Sequence, residues 1–221
     1  MKRENTATEK HQIEIPAGRL KLPGMLCIPK GALAVVAFAH GSGSGRLSPR
    51  NQFVAETLQL GKLATLLFDL LDETESDDRR KVFDIPLLAE RLQYAADWLI
   101  SDNRTRELGL GYFGASTGAA AALVAAASQP QRIGAVVSRG GRPDLAMEHL
   151  PLVAAPTLLI VGGRDEDVLQ LNNQALELMR CEKQLVVVPG ATHLFPEPGA
   201  LVEVSTLARN WFASHLFAPS H

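Results

Sequence analysis

The sequence contains only two cysteines, Cys27 and Cys181, among its 221 residues. They lie far apart in the chain and form neither a CxxC pair nor the spacing of a metal site. We therefore interpret both thiols as structural side chains, and we expect no metal site.

The sequence also lacks an excess of charge of one sign. Its formal net charge is −2, and its longest basic run is the three residues 79–81. Such a chain has no general electrostatic attraction to nucleic acid or to an anionic membrane surface. We therefore expect neither nucleic acid nor a membrane as a partner.

Long apolar runs are absent as well. The first twelve residues, MKRENTATEKHQ, include basic side chains but no apolar segment of the kind found in signal peptides. No stretch offers 18 consecutive apolar residues without Gly or Ser at a junction between a strand and a helix. These features predict a cytoplasmic protein.

What the sequence does contain is an ordinary globular composition, with 46% hydrophobic and 21% charged residues. This length and composition favour one α/β domain over residues 1–221. Apolar runs predict eight strands, the first two of them antiparallel, at residues 13–15, 20–28, 32–39, 64–71, 108–113, 133–138, 156–161 and 184–188. Helical patterns predict helices at residues 51–60, 85–101, 166–180 and 199–216, and the alanine-rich run after Ser116 predicts a further helix.

Strands that alternate with helices predict a mostly parallel, doubly wound sheet with helices on both faces. In such a sheet, ligands bind at the carboxyl ends of the strands. Functional residues should therefore be sought in the loops that directly follow strands. The acidic segment 72–78 carries no clear pattern, and we expect it to be a mobile loop.

Residues 114–118, Gly-Ala-Ser-Thr-Gly, form the pattern G-x-S-x-G between a predicted buried strand and an alanine-rich helix. This pattern is typical of a nucleophile elbow, in which a strained turn exposes the serine hydroxyl. A glycine two residues to either side of Ser116 avoids Cβ clashes in that turn. The alternative is a glycine-rich loop with a serine that caps the helix.

Three further loops after predicted strands carry reactive or anion-binding groups. These are the loops 40–45 (His-Gly-Ser-Gly-Ser-Gly), 162–167 (Gly-Gly-Arg-Asp-Glu-Asp) and 190–195 (Gly-Ala-Thr-His-Leu-Phe). With the elbow, their order along the chain is glycine loop, serine, acid and histidine. In order and spacing, the chain resembles the α/β-hydrolase superfamily, and within it the small dienelactone hydrolase-like branch.

That resemblance covers nearly the whole chain and implies an α/β-hydrolase fold. It departs from dienelactone hydrolases at the nucleophile, where they carry cysteine and this sequence has Ser116. Fewer than about twenty residues separate the predicted sixth and seventh strands, the place where many relatives insert a helical lid. We therefore expect no lid domain and an open site.

A serine hydroxyl needs a general base to remove its proton, and His193 is the candidate because it lies in a loop directly after a strand. The alternative is a surface or metal-binding histidine. Of the other histidines, His40 alone follows a strand, but it precedes the glycines and is expected to order that loop. The remaining four lack such a position: His11, His149, His215 and His221.

Three acids compete for the third place in the triad, namely Asp165, Glu166 and Asp167. We favour Asp165, because a short side chain fixed by a tight turn is suited to hold the histidine tautomer. The resemblance agrees, since the family pattern G-x-x-D-x-x-V matches here with Asp165 as its acid. Asp167 is predicted to cap the following helix, and Glu166 to face solvent.

The tetrahedral intermediate of acyl transfer needs two backbone N–H donors, one after the nucleophile and one in the loop after the third strand. Thr117 and Ser42 occupy these positions and are the predicted oxyanion hole. Two arginines after the sixth strand, Arg139 and Arg142, are candidates to bind an anionic acid or leaving group. The alternative for both is structural pairing with a carboxylate, such as Asp144 or Asp69.

Two other protein classes are alternatives, namely a non-catalytic binding protein with a hydrolase-like fold and, less favoured, a dinucleotide-binding oxidoreductase. Residues 32–69 imitate a dinucleotide-binding unit, but Arg46 stands where its third glycine belongs. A non-catalytic binding protein of this fold would have no chemical need for the serine, acid and histidine together. The sequence therefore favours a serine hydrolase that cleaves a small carboxylic ester, lactone or thioester without a cofactor, as a monomer or homodimer.

Overall fold

One eight-stranded sheet organises the computed structural model, which describes residues 8–217. His221 and most of the N-terminal segment discussed above lie outside the described residues. The strands are β1 (Thr8–Ala17), β2 (Leu20–Pro29), β3 (Ala34–Ala39), β4 (Leu63–Phe68), β5 (Gly109–Ala115), β6 (Ile133–Arg139), β7 (Thr157–Gly162) and β8 (Lys183–Val188).

Their order across the sheet is β1-β2-β4-β3-β5-β6-β7-β8. The strands β1 and β2 form an antiparallel hairpin, and β2 pairs with β4 in antiparallel orientation. The six strands from β3 to β8 run parallel to one another. The carboxyl ends of the parallel strands therefore meet along one edge. The predicted fold class, a mostly parallel, doubly wound sheet of eight strands, is confirmed.

Helices cover both faces of this sheet. They are α1 (Pro49–Leu60), α2 (Glu73–Ser76), α3 (Arg79–Val82), α4 (Ile85–Ser101), α5 (Thr117–Ser128), α6 (Glu166–Leu178) and α7 (Ala200–Leu216). One apolar core packs α4 and α5 against the sheet, and a second core packs α1 and α7 against the opposite face. None of the helices within residues 8–217 is long and apolar enough to cross a membrane.

Helix α5 explains why the alanine run follows the elbow. Ten of its residues, Thr117 through Ala126, are buried, so the helix has no solvent face over that length. Small alanine side chains favour the helix and let it pack closely on both β5 and α4. This burial fixes the helix that begins directly after Ser116.

The acidic segment differs from the expected mobile loop, because residues 73–76 form the short helix α2 and Asp78 caps the next helix, α3. Asp72 accepts a hydrogen bond from Glu75 N at 2.8 Å, and the Glu75 carboxylate accepts one from Asp72 N at 3.3 Å. The buried Glu75 carboxylate also pairs with Lys81 at 3.1 Å and with Arg91 of α4 at 3.4 Å. A capping box and a buried ion pair thus fix a segment too short to show helical periodicity.

The connection between β6 and β7 contains a 3-10 helix, Pro143–Leu152, which the sequence pattern did not predict. This helix packs against α5 and α6 and adds no lid above the carboxyl edge of the sheet. The predicted absence of a lid domain is therefore confirmed for the described residues.

Candidate active site

Ser116 lies on the turn between β5 and α5 with φ 52° and ψ −120°, a left-handed conformation that is rare for a residue with a side chain. The turn is closely packed. A Cβ on Gly114 would lie 2.4 Å from the Cα of Ala119, and one on Gly118 would lie 2.2 Å from the carbonyl oxygen of Ala39. Both glycines are therefore required sterically, which explains the G-x-S-x-G pattern physically.

Asp165 and His193 are brought together from loops 28 residues apart. The Nδ1 of His193 donates a hydrogen bond to Oδ2 of Asp165 at 2.6 Å. A backbone hydrogen bond from Arg164 N to Ala191 O, at 2.9 Å, joins the two loops beside this pair. The donation from Nδ1 leaves Nε2 of the imidazole free to accept a proton.

The histidine loop is held at two further points. Glu197 accepts hydrogen bonds from the backbone N and the hydroxyl of Thr192, at 3.1 and 2.7 Å. Phe195 is buried and has φ 54°, so the chain turns sharply between His193 and α7. The sequence analysis did not identify Glu197 as a site residue. Its position shortly after His193 is the one signal in the sequence that could have indicated it.

The segment around Gly140 contacts both Ser116 and His193. The Ser116 N–H donates to Arg139 O at 3.2 Å, and a Cβ on Gly140 would lie 3.5 Å from Nδ1 of His193. Of the described residues, Asp165 alone is hydrogen-bonded to the His193 ring, so the imidazole is not hydrogen-bonded to the Ser116 hydroxyl. Catalytic hydrogen bonds of this kind often form only when substrate is bound.

The other two acids lie apart from the histidine. Glu166 is exposed, as predicted. Asp167 is exposed at the second position of α6, and the prediction that it caps this helix is wrong, because Asp165 occupies the N-cap position and no side-chain cap bond is made there. Helix α6 begins two residues earlier than a cap at Asp167 would require, so Asp167 contributes only its charge near the helix N-terminus.

The glycine loop is fixed by His40. Its Nδ1 donates to Gly41 O at 3.1 Å, and its Nε2 accepts from Leu70 N at 3.0 Å. Burial lowers the pKa of His40 below its ordinary value, which keeps the ring neutral and able to accept that bond. This is the loop-ordering position that the sequence suggested for His40.

The two predicted oxyanion donors, Ser42 and Thr117, lie side by side and are joined by a hydrogen bond that the sequence did not indicate. The Ser42 N–H donates to the hydroxyl oxygen of Thr117 at 3.1 Å. Thr117 is 2% exposed, so this hydroxyl is fixed against the elbow. The Ser42 N–H therefore points at the residue that follows Ser116, and the Thr117 side chain is its acceptor in the unliganded protein.

Asp69, which imitated the acid of a dinucleotide site, is used elsewhere. Its carboxylate accepts from Arg46 N at 2.7 Å and forms an ion pair with the Arg46 guanidinium. Arg46, which stands where a dinucleotide site would have its third glycine, thus joins the glycine loop to the end of β4. This arrangement stabilises the glycine loop and gives no support to a dinucleotide site.

The two candidate arginines have different surroundings. Arg142 forms a two-pronged ion pair with Asp144, at 2.8 and 2.7 Å, which is the structural alternative considered for it. Arg139 is 7% exposed, and its Nε and Nη1 atoms are buried without a hydrogen-bond partner. Of the two, only Arg139 has a guanidinium available to a ligand.

A cavity of about 540 Å³ opens beside the predicted oxyanion hole. The glycine loop and Thr117 line one side, and residues 69–76 with Val82 and Leu88 line the other. Both walls carry polar groups, and Leu71, Val82 and Leu88 add apolar surface opposite the glycine loop. Thr117, which follows Ser116, also lines this space, so a small acyl or alcohol group could occupy it beside the elbow.

An eight-stranded sheet with an elbow serine, and with a hydrogen-bonded acid and histidine at the same edge, defines the class of the α/β-hydrolases. Solved structures agree: the chain superposes on an esterase of Pyrococcus furiosus with a TM-score of 0.75 at 18% identity, over 95% of this chain and 92% of that one. No protein-family model matches the sequence.

A much more similar structure gives the family. The dienelactone hydrolase of Anabaena variabilis is 55% identical, with a TM-score of 0.92 over 95% of this chain and 99% of that chain. The chain belongs to the dienelactone hydrolase family.

A curated relative from Mycobacterium tuberculosis has a different name. It is 54% identical over 208 residues, which cover 94% of this chain, and it is provisionally named a phosphoribosyl transferase. The chain spans about half the length of the curated relatives it matches, 47% in each case.

Proposed function

We propose that this protein is a serine hydrolase that cleaves a carboxylic ester, lactone or thioester through an acyl-enzyme. The observation that carries the proposal is the 2.6 Å hydrogen bond between His193 and Asp165, at the same edge as the strained Ser116. This pair leaves Nε2 of the imidazole as the base for the serine proton.

In the proposed first step, Nε2 of His193 removes the proton from the Ser116 hydroxyl as Oγ attacks the carbonyl carbon. The Asp165 carboxylate stabilises the imidazolium that forms. Collapse of the tetrahedral intermediate breaks the bond to the leaving oxygen or sulfur, which takes the proton from His193. Water then attacks the acyl-enzyme in the same way and releases the acid.

The oxyanion of each intermediate is proposed to accept hydrogen bonds from the backbone N–H groups of Thr117 and Ser42. The Thr117 hydroxyl is positioned to act through Ser42, since it accepts that N–H at 3.1 Å before substrate binds. We infer that it holds the amide in the direction of the elbow, and that the N–H is shared with the oxyanion during catalysis.

The transferase name of the curated relatives is no obstacle to this proposal, because about half of each relative lies outside the match. Within the match, a single sheet carries the elbow, the acid and the histidine. We propose that this chain is one hydrolase unit, and that any transferase activity of the relatives belongs to their other half.

The test is ester hydrolysis by the Ser116→Ala variant, assayed with nitrophenyl esters of short and long acyl chains. We expect kcat to fall by about a thousandfold or more while the fold stays intact, because a methyl group fits the elbow. Retention of most of the hydrolysis by this variant would rule out the proposed mechanism. The chain-length profile of the wild type then assigns the acyl specificity.

A further inference from the structure

Arg139 has an environment that a buried cation rarely has. Its side chain is 7% exposed, and no described carboxylate forms an ion pair or hydrogen bond with it. A buried guanidinium without an anionic partner is costly, since the lost hydration is not replaced. No described residue therefore compensates the buried charge of Arg139.

The direction of this side chain follows from the register of β6. Ala135 and Val137 pack in the core formed with α1 and α7, and Arg139 is two residues further along the same strand. Alternate residues of a strand share one face, so Arg139 points to the α1 side of the sheet at its carboxyl edge. Helix α1 begins at that same edge, because it follows the carboxyl end of β3.

A second cation stands there. Arg50 is at the second position of α1, and its Nε is also buried without a partner. Its positive charge and the burial of Arg139 together lower the pKa of Arg139 to about 10, with burial the larger cause. Neither the Arg50 nor the Arg139 guanidinium forms an ion pair with a described carboxylate, and Asp69, which lines the same surface as Arg50, is paired with Arg46 instead.

The N-terminus of α1 adds to this positive potential. The first turn of the helix contains no acidic residue. Ser48 caps this end by accepting the Asn51 N–H at 3.4 Å but carries no charge, so the positive end of the helix dipole still favours an anion. The two arginines and the helix end make three independent contributions of one sign.

This region adjoins the nucleophile. Arg139 is paired with Ala115 across β5 and β6, and its carbonyl oxygen accepts the Ser116 N–H at 3.2 Å. The cavity beside the glycine loop lies on the other side of the elbow, toward α4. A substrate whose carbonyl lies at Ser116 could therefore extend in two directions.

We propose that Arg139, Arg50 and the N-terminus of α1 form a phosphate-binding subsite, and that the substrate of this hydrolase carries a phosphate group. A phosphate monoester carries nearly two negative charges at pH 7 and three acceptor oxygens. It balances both guanidinium groups, whereas a single carboxylate would leave one of them uncompensated. Arginine binds phosphate through paired N–H donors.

The subsite deepens the proposed function and rests on it, but phosphate binding can be measured without turnover. Titration calorimetry with inorganic phosphate, against sodium chloride of equal ionic strength, should show saturable binding to the wild type. Arg139→Met and Arg50→Gln should each weaken the binding at least about tenfold. Arg132→Gln is the matched control, since Arg132 is exposed, pairs with Asp97 and precedes β6 at the opposite edge.

Thermal unfolding separates this role from a structural one. Without phosphate, Arg139→Met should unfold at a temperature equal to or above that of the wild type, because it removes an uncompensated buried charge. Phosphate should raise the unfolding temperature of the wild type but not of this variant. A lower unfolding temperature of the variant, with no phosphate effect on the wild type, would assign Arg139 to the fold and overturn the proposal.

The kinetic arm compares phenyl acetate, 4-carboxyphenyl acetate and 4-(phosphonooxy)phenyl acetate. Arg139→Met should lower kcat/KM for the phosphate ester at least about tenfold relative to phenyl acetate. An equal effect on all three esters, or one as large for the carboxylate ester, contradicts the subsite. If the protein hydrolyses phenyl acetate but does not bind phosphate, the subsite is refuted and the proposed function stands. If the protein binds phosphate through the arginines but hydrolyses none of the esters, the proposed function is refuted and the subsite stands.

Discussion

Asp165→Asn is expected to lower kcat by about ten-thousandfold with little effect on the fold. In the structure, the Asp165 carboxylate accepts the proton of His193 Nδ1 at 2.6 Å, and its side chain is 15% exposed. An asparagine in that place can turn its NH₂ group toward Nδ1, which favours the tautomer protonated at Nε2. That tautomer cannot accept the serine proton, and the positive charge of the imidazolium is no longer offset.

The magnitude follows from the same substitution in serine protease triads, where kcat falls about ten-thousandfold. At about 1.4 kcal/mol for each factor of ten, this is a loss of about 5.5 kcal/mol of transition-state stabilisation. KM should change little, because the carboxylate acts through the imidazole and not on the substrate. Steady-state kinetics with a short-chain nitrophenyl ester measure both constants.

Asp167→Asn is the matched control, two residues away in the same loop. This side chain is exposed in the first turn of α6, so the change should cost about 0.3 to 1 kcal/mol of stability and leave kcat within about twofold. The reasoning would be refuted if Asp165→Asn kept a tenth or more of wild-type kcat. A comparable loss of activity in Asp167→Asn would also refute it.

Three other changes test separate parts of the site. Burial lowers the pKa of His40 in the folded protein, so its contribution to stability is complete above its ordinary pKa of about 6.5 and is lost as the pH falls below that value. The thermal midpoint of the wild type should therefore decline between pH 7 and 5. The decline should be shallower in His40→Gln. Thr117→Val removes the acceptor of the Ser42 N–H, so kcat should fall roughly tenfold with KM unchanged, and Thr117→Ser should restore it. Arg142→Gln should change KM by less than about twofold, and equally for neutral and anionic esters, because its guanidinium is already paired with Asp144.

The fold could be predicted from the sequence because its elements carry strong local signals. Strands such as β3 are continuous apolar runs, and α4 begins at Asp84, whose side chain accepts the Leu87 N–H as a cap. The segment of α2 and α3 could not be predicted in this way, because each of its helices has only four residues. A capping box and a buried ion pair across the fold decide its structure.

The candidate site divides along the same line. The three candidate residues Ser116, Asp165 and His193 lie in loops that directly follow strands. Their positions in the sequence were therefore enough to predict that they lie at the same edge of the sheet. The bond between Ser42 N and the Thr117 hydroxyl joins residues 75 apart, and nothing local indicates it. The proximity of Arg50 to Arg139 likewise depends on where the first turn of α1 lies at the carboxyl edge of the sheet, and only the assembled fold reveals it.

The role of Ser116 as nucleophile is tested by the intact mass of the protein after reaction with a fluorophosphonate, followed by peptide mapping of the adduct. We expect one adduct, on Ser116, with no adduct in Ser116→Ala and much slower labelling in His193→Ala, because the serine depends on the imidazole for activation. A wild-type protein that hydrolyses esters but gives no adduct, or gives one on another residue, would contradict the claim that Ser116 is the nucleophile.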